Sequence, residues 1–157
     1  ALSLTYPIID PASDLANEIF NTITKKLLLP KGLRTLAPDE ENYVGIYKGG
    51  VYERDTSYHQ GITWPWLLGL YFDSFVNIVN AEKDEKKKAR LKKAYNKFVD
   101  EVEEIFENEF YYSDCVVGSI SELYDSEEPY IAKGSPAQAW SVAEVFRIIF
   151  QGKEKLK

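Results

Sequence analysis

PWLLGLYFDSFVNIV, from Pro65 to Val79, is the stretch whose reading decides the fold. Wound as an α-helix, it spreads Leu67, Leu68, Leu70, Tyr71, Phe72, Phe75, Val76 and Val79 almost all round the cylinder, so it must be covered on more than one side. It reads as a central helix. Its neighbours carry narrower stripes. Over 86–110, Leu91, Tyr95, Phe98, Val102, Ile105 and Glu109 recur at alternating steps of four and three among charged residues, which describes an outer helix. From Asp14 to Leu28, Leu15, Ile19, Ile23 and Leu27 fall four apart, Ala16 and Phe20 widen the stripe, and Pro30 and Gly32 end it. A last helix opens with Ser135, Pro136 and Gln138, which match an N-cap serine, a first-turn proline and the far end of a capping box. It runs to about Phe150 and stops at Gly152. The connections over 30–58, which leave room for short strands, and 111–133 lack sustained periodicity, and loops of that length in a compact domain usually serve function. The expected class is all-α, with about four main helices and long loops. Inner helices apolar all round and outer helices with one stripe are what a layered helical toroid requires. Four cannot close such a ring.

The chain has 157 residues, enough for one domain with a real core and too few for two comfortable ones. At 45% apolar and 28% charged it has a globular composition, and no apolar run approaches the roughly 20 residues that cross a bilayer. The amino terminus ALSLTYPIID has no basic residue to open a secretory signal, and the single Cys115 cannot form an internal disulfide; a cytoplasmic location is the expectation. A formal net charge of −6 argues against a nucleic-acid partner, which would need Lys and Arg to neutralise phosphates. The one dense basic stretch, Lys83 to Lys93, is interleaved with Asp84 and Glu85 and reads as a solvated helix face. The sequence has no methionine, which leaves Ala1 either a processed start or an internal point of a longer protein.

Three clusters carry chemistry. In the first, Glu53 to Trp66, hydrogen-bonding groups and two tryptophans precede the central helix. Aromatic faces stack on the apolar side of a pyranose while amide, imidazole and carboxylate groups bind its hydroxyls. The same tryptophans also suit a core, with His59 as a helix cap. In the second, Gly118 to Asp125, Glu122 is flanked by small hydroxyl residues that can hold a carboxylate rigid and ionised, as a base that activates water requires. The alternative is a solvated surface acid. The third, Gly134 to Glu144, holds Gln138, Trp140 and Ser141 and by itself reads as a capped core helix.

Taken in order, KGLRTLAP (Lys31 to Pro38), YHQGITWPWLLG (Tyr58 to Gly69), GSISELYD (Gly118 to Asp125) and SPAQAWSVAEVFR (Ser135 to Arg147) resemble the closing motifs of amylo-α-1,6-glucosidases, the glucosidase part of glycogen debranching enzymes. The resemblance covers nearly the whole chain. It implies an (α/α)6 toroid whose funnel takes a branch glucose left as an α-1,6-linked stub on glycogen or a branched α-glucan oligosaccharide. It implies inverting hydrolysis by two carboxylates, with no cofactor and no metal. The motif position Glu122 corresponds to the general base. Tyr58, His59, Gln60, Trp64 and Trp66 would surround the sugar, and Gln138, Trp140 and Arg34 would line or support the funnel. The HQGxxWPW pattern is shared with related helical-toroid glycosidases, so the family is better defined than the bond cleaved.

The family's acid carboxylate lies upstream of these motifs, and nothing in Ala1 to Lys157 matches it; Asp55 and Asp125 are the nearby carboxylates to consider as substitutes. The chain is therefore expected to be the carboxy-terminal part of a glycosidase catalytic domain, inactive by itself. Helices 65–79 and 135–150 would then present apolar faces, which points to homo-oligomerisation. The rival reading is a non-catalytic carbohydrate-binding or helical assembly module.

Overall fold

The computed structural model describes residues 1–113 and 115–156. The elements run α1 (Asp14–Lys26), β1 (Leu28–Leu29), β2 (Gly32–Arg34), α2 (Val51–Ser57), β3 (Thr63–Trp64), α3 (Leu67–Ala81), α4 (Glu85–Tyr112), β4 (Leu123–Tyr124), β5 (Ala132–Lys133) and α5 (Ala139–Lys155). Local chemistry starts the outer helices where the sequence indicates. Ser13 Oγ accepts the Ala16 N–H at 3.1 Å at the head of α1, and Asp84 Oδ1 accepts the Lys87 N–H at 2.7 Å at the head of α4.

Two expectations about class need correction. There are five helices among the described residues, not four, because the short and polar α2 sits inside the connection read as irregular. Nor is the chain all-α: five antiparallel strands form one small sheet in the order β1-β2-β3-β4-β5. Each strand is only two or three residues long, too short to display the alternation that marks a strand, and the pairings Leu33↔Trp64 and Thr63↔Tyr124 join distant segments.

The last helix also differs at both ends. It begins at Ala139 behind Gln138, because Ser135 is held back by the sheet-side loop: its backbone pairs with Glu122 and its hydroxyl donates to the Ala137 carbonyl at 3.2 Å. It continues past Gly152, which is not a stop signal but a contact point. A Cβ there would lie 2.8 Å from both methyls of Val99, so glycine lets α5 approach α4 closely.

The central helix is as read, with Leu68, Gly69, Tyr71, Phe72, Phe75, Val76, Ile78 and Val79 of α3 buried. Aromatic rings fill the space around it. Phe20 of α1 stacks on Tyr71 at 4.7 Å, and Tyr71 meets Phe98 of α4 at 5.1 Å, while Tyr95 of α4 meets Phe75 at 5.5 Å and Phe72 at 5.8 Å. Of α3's large apolar side chains only Leu70 is exposed, so the free apolar face expected on this helix is largely covered; on α5, Trp140 and Phe150 are exposed.

Burying phenols has a consequence at high pH. Desolvation first, and the nearby Asp73 charge second, push Tyr95 up to about 12, and burial pushes Tyr71 and Tyr124 up as well. An unfolded tyrosine ionises near pH 10 while these stay protonated, so the stability they contribute is intact below about pH 10 and is lost as pH rises through their folded values. Urea midpoints should therefore fall steeply between pH 10 and pH 12. A flat profile across that window would show that the phenols ionise without opening the core.

Candidate functional site

The small sheet is what assembles the site. Strands β3 and β4 pair at Thr63↔Tyr124, and β4 pairs with β5 at Leu123↔Lys133 and Tyr124↔Ala132, so the residues flanking these strands meet although they are far apart in sequence. Glu122 immediately precedes β4, and Gly134 and Ser135 immediately follow β5. The Glu122 N–H donates to the Ser135 carbonyl at 2.9 Å, and the Ser135 N–H returns to Glu122 Oε2 at 2.8 Å. The side chain is thus clamped onto the strand that faces it. Gly134, at φ +69°, makes room: a Cβ there would lie 2.4 Å from Glu122 Oε2.

The other carboxylate oxygen is held from across the site. The Tyr58 hydroxyl, at the end of α2, donates to Glu122 Oε1. Burial, followed by the hydrogen bond to Glu122 and its charge, pushes the Tyr58 phenol up, so it remains a donor at all ordinary pH. Two donors on a carboxylate with about four acceptor positions leave Glu122 free to bind water or a sugar hydroxyl. Its residue is half-buried, not sealed.

Around this carboxylate the rings form a continuous patch. Tyr58 meets the Trp64 ring edge-on at 4.7 Å, and the Trp64 indole N–H donates to the Tyr58 carbonyl at 3.2 Å. His59 stacks on Trp64 at 5.3 Å, and Trp140 meets Trp64 edge-on at 6.1 Å. Trp66 and Trp140 stack at 5.3 Å with their planes 22° apart. Trp64 is only 2% exposed and acts as the floor, whereas Trp140 is 46% exposed and His59 is also open to solvent. The three tryptophans of the chain all lie here.

The remaining sequence candidates are placed differently. Arg34, in β2, donates to the carbonyls of Lys26 at 3.2 Å and Ser126 at 3.3 Å, tying the end of α1 to the loop after β4. Gln60 is exposed beside His59, and its carbonyl accepts the Val44 N–H at 2.6 Å. Gln138 is half-buried, and its N–H donates to the Ile120 carbonyl at 3.0 Å, so it fixes the start of α5 over the loop that carries Glu122.

The two candidate substitute acids are placed differently from one another. Asp125 is 4% exposed; it accepts the Tyr47 N–H at 2.8 Å, and Lys133 Nζ stands 3.7 Å from it. It is an anchor for a loop. Asp55 is exposed on α2, and its carboxylate has no hydrogen bond or ion pair among the described residues. Ser126 completes the anchoring, with its hydroxyl 2.5 Å from both Thr63 Oγ1 and the Gly61 carbonyl and its N–H donating to the Gly45 carbonyl at 2.7 Å. By these bonds the 39–50 loop lies down on the site and Tyr47 reaches 5.9 Å from Tyr58. Sequence reading missed Tyr47 and Gly134. A tyrosine in a loop and a glycine before Ser135 have no distinctive spacing; only the fold gives them partners.

A fixed, accessible carboxylate beside stackable rings can bind a pyranose and accept a proton from water, the chemistry of a carbohydrate site. The family described as Amylo-alpha-1,6-glucosidase matches residues 1–147, and the chain belongs to that family. It is similar to the glycogen debranching enzyme of Saccharomyces cerevisiae, 29% identical over 128 residues, an alignment that covers 73% of this chain and 8% of the yeast protein. The chain thus spans less than a tenth of that relative's length. Among the described residues no helix is long and apolar enough to cross a membrane.

Proposed function

We propose that this chain is the base-bearing, carboxy-terminal part of a glycosidase catalytic domain, an (α/α)6 toroid that removes α-1,6-linked glucose stubs from glycogen-type glucans with inversion. The observation that carries the reading is the double clamp on Glu122, with Tyr58 on one oxygen and the Ser135 N–H on the other, at the edge of the Trp66–Trp140 patch. In the reaction, Glu122 takes a proton from water as the water oxygen attacks the anomeric carbon. The glycosidic oxygen leaves with a proton from an acid on the opposite face, about 6.5–9.5 Å away to leave room for that water. Asp125 is engaged by Tyr47 and Lys133, and the resemblance to the family implies an acid supplied by a segment outside these 157 residues.

A second reading, a carbohydrate-binding module without turnover, is favoured for the isolated chain by the engagement of Asp125 with Tyr47 and Lys133. Calorimetric titration of the chain with maltooligosaccharides, paired with a glucose-release assay on branched limit dextrin, tests both. Saturable binding without glucose release is expected. Turnover by the isolated chain would refute the bipartite site, and absence of binding would remove the aromatic patch as a sugar platform.

A further inference from the structure

The Trp66–Trp140 pair is built from the first turns of two different helices, so its geometry depends on how α3 and α5 are set against one another. One side chain spans the two helices. Arg147, about two turns into α5, reaches across to α3 with its guanidinium: Nη1 donates to Asp73 Oδ1 at 2.9 Å and Nη2 to Asp73 Oδ2 at 3.0 Å, the parallel fork that fixes both distance and angle. Nη2 also donates to the Gly69 carbonyl of α3 at 3.2 Å. The guanidinium carbon stands 5.3 Å from the centre of the Phe72 ring.

The same guanidinium is aimed from its own helix. Glu144, one turn earlier on α5, accepts from Arg147 Nε at 3.0 Å and from Nη2 at 2.6 Å. Its carboxylate lies where a side chain at Gly69 would be, since a Cβ there would stand 1.7 Å from Glu144 Oε2. A fork on Asp73, a carbonyl on Gly69 and a carboxylate seated in the space of a missing side chain allow a single axial register between α3 and α5. By contrast the Trp140 indole, at the second position of α5, has no hydrogen bond among the described residues and rests on Trp66 and Trp64 through ring contact. Ring contact tolerates sliding; the fork does not.

We propose that Arg147 is a positioning residue for sugar binding: through Asp73 and Glu144 it sets the register of α5 on α3 and so holds Trp140 over Trp66 as one platform for the glucan. The proposal rests on the function proposed above. It assigns Arg147 no contact with the sugar.

All three tryptophans of the chain belong to this patch, so no indole elsewhere contributes to its excitonic couplet, read as the difference between variant and parent spectra, and the couplet from indoles stacked at 5.3 Å reports this geometry. The test compares Arg147→Met and Arg147→Lys with the parent chain, well below their unfolding temperatures, by the tryptophan couplet and by affinity for maltoheptaose. Both variants should lose most of the couplet and bind about tenfold more weakly, the Lys variant because an ammonium cannot make the fork. A purely structural arginine would lower the melting temperature and leave couplet and affinity unchanged, and that result overturns the proposal. A lost couplet with unchanged affinity overturns it too. If neither Arg147 variant folds, Asp73→Ala removes the α3 end of the fork at a partly exposed position, and the same readouts decide. Trp66→Ala separates this inference from the reading beneath it: unchanged affinity in that variant refutes the sugar platform itself, whereas weakened binding there with normal binding in Arg147→Met refutes only the role of Arg147.

Discussion

Glu122→Gln is expected to reduce glucose release from α-1,6-linked stubs by about 10²–10⁴-fold, the range that a positioned base contributes, in a polypeptide that carries both carboxylates. Glucan affinity should survive. The amide has nearly the shape of the carboxylate, and its oxygen can still accept one of the two donors that hold this position, the Tyr58 hydroxyl or the Ser135 N–H. The other donor then faces an NH2 group, a loss of about 1 kcal/mol that is small beside the chemical defect. What the variant cannot do is take a proton from water. Initial rates on limit dextrin, set against calorimetric affinities for the same glucan, separate the two effects. Undiminished turnover would remove Glu122 from the mechanism, and a parallel loss of binding would make it a sugar-binding group instead.

Phe72→Ala should be the most damaging single change to the fold, at about 3–5 kcal/mol. Phe72 has no solvent exposure, meets Tyr95 of α4 at 5.8 Å and lies under Arg147 of α5, so one ring joins three helices. Loss of that size takes most of the stability of a marginal domain, and the variant should unfold at a far lower urea concentration than its parent. Leu70→Ala on the same helix offers the contrast. Leu70 is 45% exposed, and a change there should stay within about 0.5 kcal/mol. Equal losses at the two positions would mean that α3 is not the centre of the core.

The difference between those two residues also shows what the sequence makes legible. Apolar side chains on nearly every face of 65–79 can only mean cover from several sides, and α1, α3 and α4 lie close to where periodicity puts them. Short strands can be expected in the 30–58 connection, but their pairing into one sheet is illegible for the converse reason. A pair such as Leu33↔Trp64 is made by two-residue or three-residue strands, and nothing local to either end says that the other exists. The start of α5 was misread because its capping residue has a stronger claim on it from Glu122, a tertiary contact overriding a local signal. In the site, motifs drew attention to Tyr58, Trp66, Glu122 and Trp140. The hydrogen bond from Tyr58 to Glu122 spans 64 residues and follows only from the sheet between them. Arg34, read as lining or supporting a funnel, is engaged by two backbone carbonyls, partners that its motif alone does not announce.

The central claim is that Glu122 stands where water attacks, on the face opposite the leaving oxygen. Removing the carboxylate and offering a small anion in its space tests that position directly. With Glu122→Ala in a polypeptide that carries both carboxylates, sodium azide should enter from that side and restore cleavage of an activated α-glucoside, and the product should be the β-configured glucosyl azide identified by its proton NMR coupling. An α-configured azide, or no rescue in a folded variant that still binds glucan, would contradict the account.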